Sequence, residues 1–163
     1  MPFTPFHLGP ALLIGLLLFS HLDFVSFMVS SVVVDVEPLW IVVFRLHIPL
    51  HGFFHTYLGA TILGTLTAVG VYFLRSGLSK VLEWFKIKQR SSFKKILYTS
   101  LFGVYFHIFL DSFLYAEMEP FYPLPGNPFL GVVGLGAIYE FCTISFILGS
   151  ILYIYKFIVR KAN

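Results

Sequence analysis

Charge is scarce in this sequence. Asp, Glu, Lys and Arg make up 12% of its 163 residues, roughly half the share usual in a soluble domain. Cysteine is almost absent. The one residue, Cys142, lies in an apolar run and excludes an intrachain disulfide and a Cys-based zinc finger. Residues 1–20 contain no Lys or Arg, so nothing supports a cytoplasmic N-terminus. Without a basic start or a small-residue cleavage site, a removable signal peptide is not expected. There is no Gly-rich loop to cradle phosphate. Gly131 to Gly136 lie in an apolar stretch and read as helix packing. Nor is there a Ser-His-Asp arrangement; Thr56 beside His55 and Ser112 beside Asp111 do not make activated nucleophiles. Repeats and low-complexity segments are missing, and the length suits one domain over residues 1–163. The net charge of +3 is small, and all the bases but Arg45 lie in one loop and the C-terminus. That is the pattern of membrane topology, so nucleic acid is not an expected partner.

What the sequence does have is apolar surface. It is 58% hydrophobic and 19% aromatic, with a mean hydropathy of +0.86. Four apolar stretches stand out, at about residues 8–34, 53–74, 96–115 and 129–158. A spanning helix needs ~20 mainly apolar residues, which the last three supply. They are continuous rather than alternating, so helices are expected and barrel strands are not. The first stretch is broken near Ser20-His21-Leu22-Asp23. It is either one long span or a hairpin of arms 8–19 and 24–34, with Asp23 as N-cap of the second arm. The hairpin is favoured. The expected fold is an all-α polytopic membrane bundle of three long transmembrane helices plus an N-terminal hairpin or fourth span.

Between the second and third spans lie Arg75, Lys80, Lys86, Lys88, Arg90, Lys94 and Lys95, with Glu83 the one acid. The C-terminus carries Lys156, Arg160 and Lys161. The positive-inside rule makes both cytoplasmic in a multi-pass cell-membrane protein. Residues 35–52 and 116–128 then lie outside. Leu78, Val81, Leu82 and Phe85 recur at helical spacing inside the basic loop. This suits an interfacial helix drawn to anionic lipid, or a solvated loop.

Set in this apolar sequence are paired acids and histidines. They are Asp35 and Glu37, His51 and His55, and His107 and Asp111. Ionisable groups are costly in hydrocarbon and mark function there. Residues four apart share a helix face and can reach one ion. The topology puts all three pairs toward the outer side. In the hairpin reading His7 joins them. Glu140 stands alone in the fourth span, as a supporting residue, a partner of Arg45, or a neutral hydrogen-bonded acid. His21 and His47 are expected to be structural or interfacial. The candidate metal ligands are therefore His7, Asp35, Glu37, His51, His55, His107 and Asp111, with Asp35 or Glu37 also candidate general bases. These seven exceed the three or four ligands of one catalytic zinc. One to three divalent ions are expected, with Zn first and Mn or Fe as alternatives.

At these residues the sequence resembles a family of prokaryotic membrane-bound metal-dependent hydrolases. Some members are labelled LexA-binding inner-membrane hydrolases, and the family is distantly grouped with zinc-dependent phospholipase C and P1 nuclease. The family's early His resembles His7. Its Asp-x-Asp-His element resembles Asp35-Val36-Glu37-Pro38, with Glu for the second Asp and Pro for the His. Its His-Arg-Gly-x-Thr-His element resembles His51-Gly52-Phe53-Phe54-His55, without the Arg. Its His-x-x-x-Asp element resembles His107 to Asp111, with Tyr122-Pro123 downstream. The resemblance implies metal-dependent hydrolysis, and the lost His and Arg imply fewer metals, another substrate or lost activity.

Metals held by imidazole and carboxylate make a bound water nucleophilic near neutral pH. A site near the outer face suits the headgroup of a membrane lipid or lipid-linked substrate. Phosphoester hydrolysis is the first expectation, and amide hydrolysis is open to the same ligands. The alternatives are a non-catalytic membrane regulator or assembly protein with a structural metal, and a metal transporter. A transporter would need ligands in the cytoplasmic half, where none is evident.

Overall fold

A computed structural model describes residues 5–159. Arg160 and Lys161, expected to be cytoplasmic, lie outside the described residues. Among the described residues the chain is helical and has no strand. Seven α-helices follow in order: α1 (Pro5–Leu17), α2 (Phe24–Val33), α3 (Val36–Val43), α4 (Tyr57–Leu74), α5 (Ser79–Trp84), α6 (Phe93–Ser112) and α7 (Leu135–Ile154). A 3-10 turn covers Phe53–His55, and α7 runs on into a π turn over Tyr155–Val159.

The first apolar stretch is a hairpin, α1 against α2. Asp23 caps α2, its side chain accepting from the Ser26 amide. The second arm is longer than the sequence suggests. The helix resumes after Asp35 and continues to Val43, because Pro38 falls in the first turn of α3, where the missing N–H costs nothing. Three helices are long and apolar enough to cross a membrane: Phe24–Val43, Tyr57–Leu74 and Leu135–Phe157. They are not quite the expected three. α6 has 20 residues but carries Lys94, Lys95, His107 and Asp111. It is packed between α2 and α4 and can carry polar groups on its buried sides.

Contacts give the directions. Asp23 meets Thr99 and Ser31 meets His107, so α2 and α6 are parallel. Thr61 bonds Tyr105 and Tyr72 packs on Phe93, so α4 and α6 are antiparallel. α7 lies along α1, where a Cβ on Gly9 would strike the Cys142 carbonyl and one on Gly149 would crowd Leu12 and Leu13. Such small residues let the two backbones approach closely. One end of the bundle gathers Arg75, Lys86, Lys88 and Lys95 around the hairpin turn, with Lys156 bonding the Leu16 carbonyl. The other end gathers Asp35, Glu37, Asp111 and Glu117.

Candidate metal centre

Asp35 stands at the junction of α2 and α3, about 16 Å from Phe24 by helical rise. Its carboxylate faces the bundle, toward His107. His107 and Asp111 lie one turn apart on α6, with His107 Nε2 3.2 Å from Asp111 Oδ2. His55 enters from the turn before α4. Ligand atoms of Asp35, His55, His107 and Asp111 all lie within 4.8 Å of one another. The hairpin returns His7 to this end. Its ring stacks on His107 at 4.0 Å, and its Nε2 is 3.1 Å from Asp111 Oδ1.

The surroundings fix which nitrogen of each ring faces the cluster. His107 Nδ1 lies 2.8 Å from the Ser31 carbonyl, which can only accept, so Nδ1 donates and Nε2 turns inward. His55 Nδ1 donates to Glu37 at 2.8 Å, and its Nε2 turns inward too. Asp35 Oδ1 is 3.6 Å from His107 Nε2 and 4.0 Å from His55 Nε2. His7 Nε2, Asp35 Oδ2, His55 Nε2, His107 Nε2 and Asp111 Oδ1 are buried without a hydrogen-bond partner. Buried polar atoms are normally paired. With the tautomers fixed above, the Nε2 lone pairs of His55 and His107 face carboxylate oxygens of Asp35 and Asp111, acceptor against acceptor, and these four residues fit a divalent ion. Burial pushes His55 below the ordinary imidazole value, with Glu37 opposing and the neighbouring histidines assisting. A neutral imidazole is the ligating form.

The remaining candidates stand around this group. Glu37 points away from it and accepts from the Gly52 and Phe54 amides as well as His55. It positions a ligand, as carboxylates behind metal-bound histidines do. His51 meets His55 edge-on at 4.7 Å and donates to Glu117 at 2.7 Å. His51 and His55 are not on one helix face, contrary to the spacing argument. Gly52 and the 3-10 turn break the helix before Thr56 caps α4. Glu140 is exposed on α7 and pairs with neither the cluster nor Arg45 among the described residues.

Two neighbours carry little signal in the sequence. Tyr115 stacks on His51 at 3.8 Å. Glu117 holds His51, and although burial would raise its carboxyl, that hydrogen bond keeps it below the usual carboxylate range. Both come from the segment that follows α6, which Met118 anchors in the core against Val34, Ala60, Val104 and Ile108. Beside them opens a cavity of about 560 Å³. Glu37, His51, Glu117, Glu119 and Tyr122 form its polar wall, and Ile41, Ile48 and Phe53 an apolar one. Comparison with family models, curated proteins and solved structures finds no match to this chain.

Proposed function

We propose that this protein is an integral membrane hydrolase that depends on a divalent metal and cleaves a phosphoester in a lipid or lipid-linked substrate. The observation that supports it most is the set of buried, unpartnered imidazole and carboxylate atoms facing one another between α2, α4 and α6. Asp35, His55, His107 and Asp111 would hold the ion, and His7 stands ready beside Asp111. A divalent ion bound there supplies a water that is nucleophilic near neutral pH.

The other steps belong to the chain. Ser31 and Glu37 aim the two imidazoles. Asp35 Oδ2 is unpartnered and can accept a proton from the attacking water, the work of a general base. Glu37 is the weaker base, because three donors already occupy its oxygens. The cavity beside Glu37 and His51 lies at the same end of the bundle, where a headgroup could enter. Its mixed apolar and polar walls suit an amphiphile.

The test is turnover by purified protein against phospholipids, lipid-linked phosphates and N-acyl lipids. Chelation should abolish activity, Zn²⁺ or Mn²⁺ should restore it, and Asp35→Asn should remove it. Bound metal without turnover across the panel would replace this reading with a regulator carrying a structural metal.

A further inference from the structure

The opposite end of the bundle carries a second site. A groove of about 430 Å³ opens where α4 ends, between Tyr72 and the segment that leads into α6. Its wall includes Arg75, Lys88 and Arg90, and no acid. Arg75 is already committed, to Asp23 at 2.6 Å and to the Gln89 carbonyl at 2.7 Å. Lys88 meets only the exposed Glu83, at 3.2 Å, and such surface pairs hold weakly. Arg90 has no ion-pair partner among the described residues. Ser91, in the same wall, turns its hydroxyl to the buried Asp23 carboxylate. A second groove of about 390 Å³ shares Lys88, Gln89 and Arg90 with the first, so these side chains form a ridge open on both flanks.

The setting is amphipathic. Tyr72 belongs to the last turn of a helix apolar enough to cross a membrane, whereas Arg90 lies beyond it in the loop. α5, just past the same helix end, buries Leu82 and exposes Val81 and Trp84, the latter to 78%. Apolar side chains beside uncommitted bases mark headgroup level. We propose that this groove binds an anionic phospholipid of the surrounding leaflet. Lys88 and Arg90 take the headgroup phosphate, and the acyl chains lie past Tyr72.

Trp84 provides the readout. The protein has two tryptophans, so Trp40→Phe leaves Trp84 alone. This variant is reconstituted in phosphatidylcholine bilayers containing brominated phosphatidylglycerol or brominated phosphatidylcholine, and quenching is measured. Brominated phosphatidylglycerol should quench at a several-fold lower mole fraction. Each base removed from the site should weaken that preference about fivefold. Lys88→Ala with Arg90→Ala should therefore abolish it. Lys80→Ala with Lys94→Ala, an equal loss of charge outside the groove, should preserve it. Millimolar inorganic phosphate at matched ionic strength should leave it unchanged. Equal quenching by the two lipids, equal loss in both double variants, or displacement by free phosphate would overturn the proposal.

Discussion

Glu37 shows how much a single atom decides at this site. Its carboxylate fixes His55 in the tautomer that turns Nε2 toward Asp35. Glu37→Gln keeps the shape but can place an amide N–H against Nδ1, which favours the other tautomer. Metal affinity should fall about 10- to 100-fold, the usual cost of losing such a support. Titration with a fluorescent zinc chelator measures it, and unchanged affinity would remove Glu37 from the centre. Sequence spacing finds Asp35, His107 and Asp111 for sound reasons, since i,i+4 on α6 is real geometry. It finds His55 by a premise the fold does not honour, because the 3-10 turn, not a helix, presents it. It does not separate Asp35 from Glu37. Residues two apart on a helix lie on nearly opposite faces, so one points in and the other out, and the spacing does not say which. Glu117 and Tyr115 are invisible in the sequence, because an acid in the segment after α6 and an aromatic closing an apolar stretch are both ordinary there.

The helices meet through small residues, and these set the distance between α2 and α6. A Cβ on Gly103 would overlap the Ser30 hydroxyl. Gly103→Ala should therefore cost about 1–3 kcal/mol, the usual penalty of overpacking. It should also loosen the Ser31–His107 bond one turn away. Thermal unfolding in detergent reads the first effect and metal retention the second; a variant as stable as the parent would show that this contact is slack. The hairpin turn is held by a different device. Asp23 is fully buried and Arg75 reaches it from the end of α4. Burial alone would raise the Asp23 carboxyl, but hydrogen bonds from Ser26, Ser91 and Arg75 hold it below the ordinary value. A depressed carboxyl stabilises the fold above the unfolded-state pKa of about 4, and that contribution fades as pH falls through the lower folded value. Unfolding midpoints should therefore drop below about pH 4. Arg75→Ala should cost about 3–5 kcal/mol, because it leaves a buried charge unpaired. A flat midpoint from pH 6 to pH 3 would contradict this role for Asp23.

On the scale of the molecule, charge is sorted end to end apart from Arg45, Glu83 and the buried Asp23, and this much was legible. The apolar stretches, the break at Ser20 to Asp23 and the segregation of bases from acids all predict a helical bundle with the hairpin turn at the basic end. The relative importance of the stretches was not legible. α6 is wrapped by neighbours and needs less apolarity than α7, whose flank is open. In cells, Lys88→Cys should resist an impermeant thiol reagent and Gly126→Cys should react, both in a Cys142→Ser background. Labelling of Lys88→Cys would reverse the orientation. The central claim is the metal centre between α2, α4 and α6. Elemental analysis of protein purified without added metal tests it most directly, with His55→Ala, His107→Ala as the paired variant. The parent should carry at least one equivalent of zinc, manganese or iron, and the variant should lose it while still inserting and keeping its helicity. Parent protein free of these metals after purification and zinc incubation, or a variant that keeps its full complement, would contradict it.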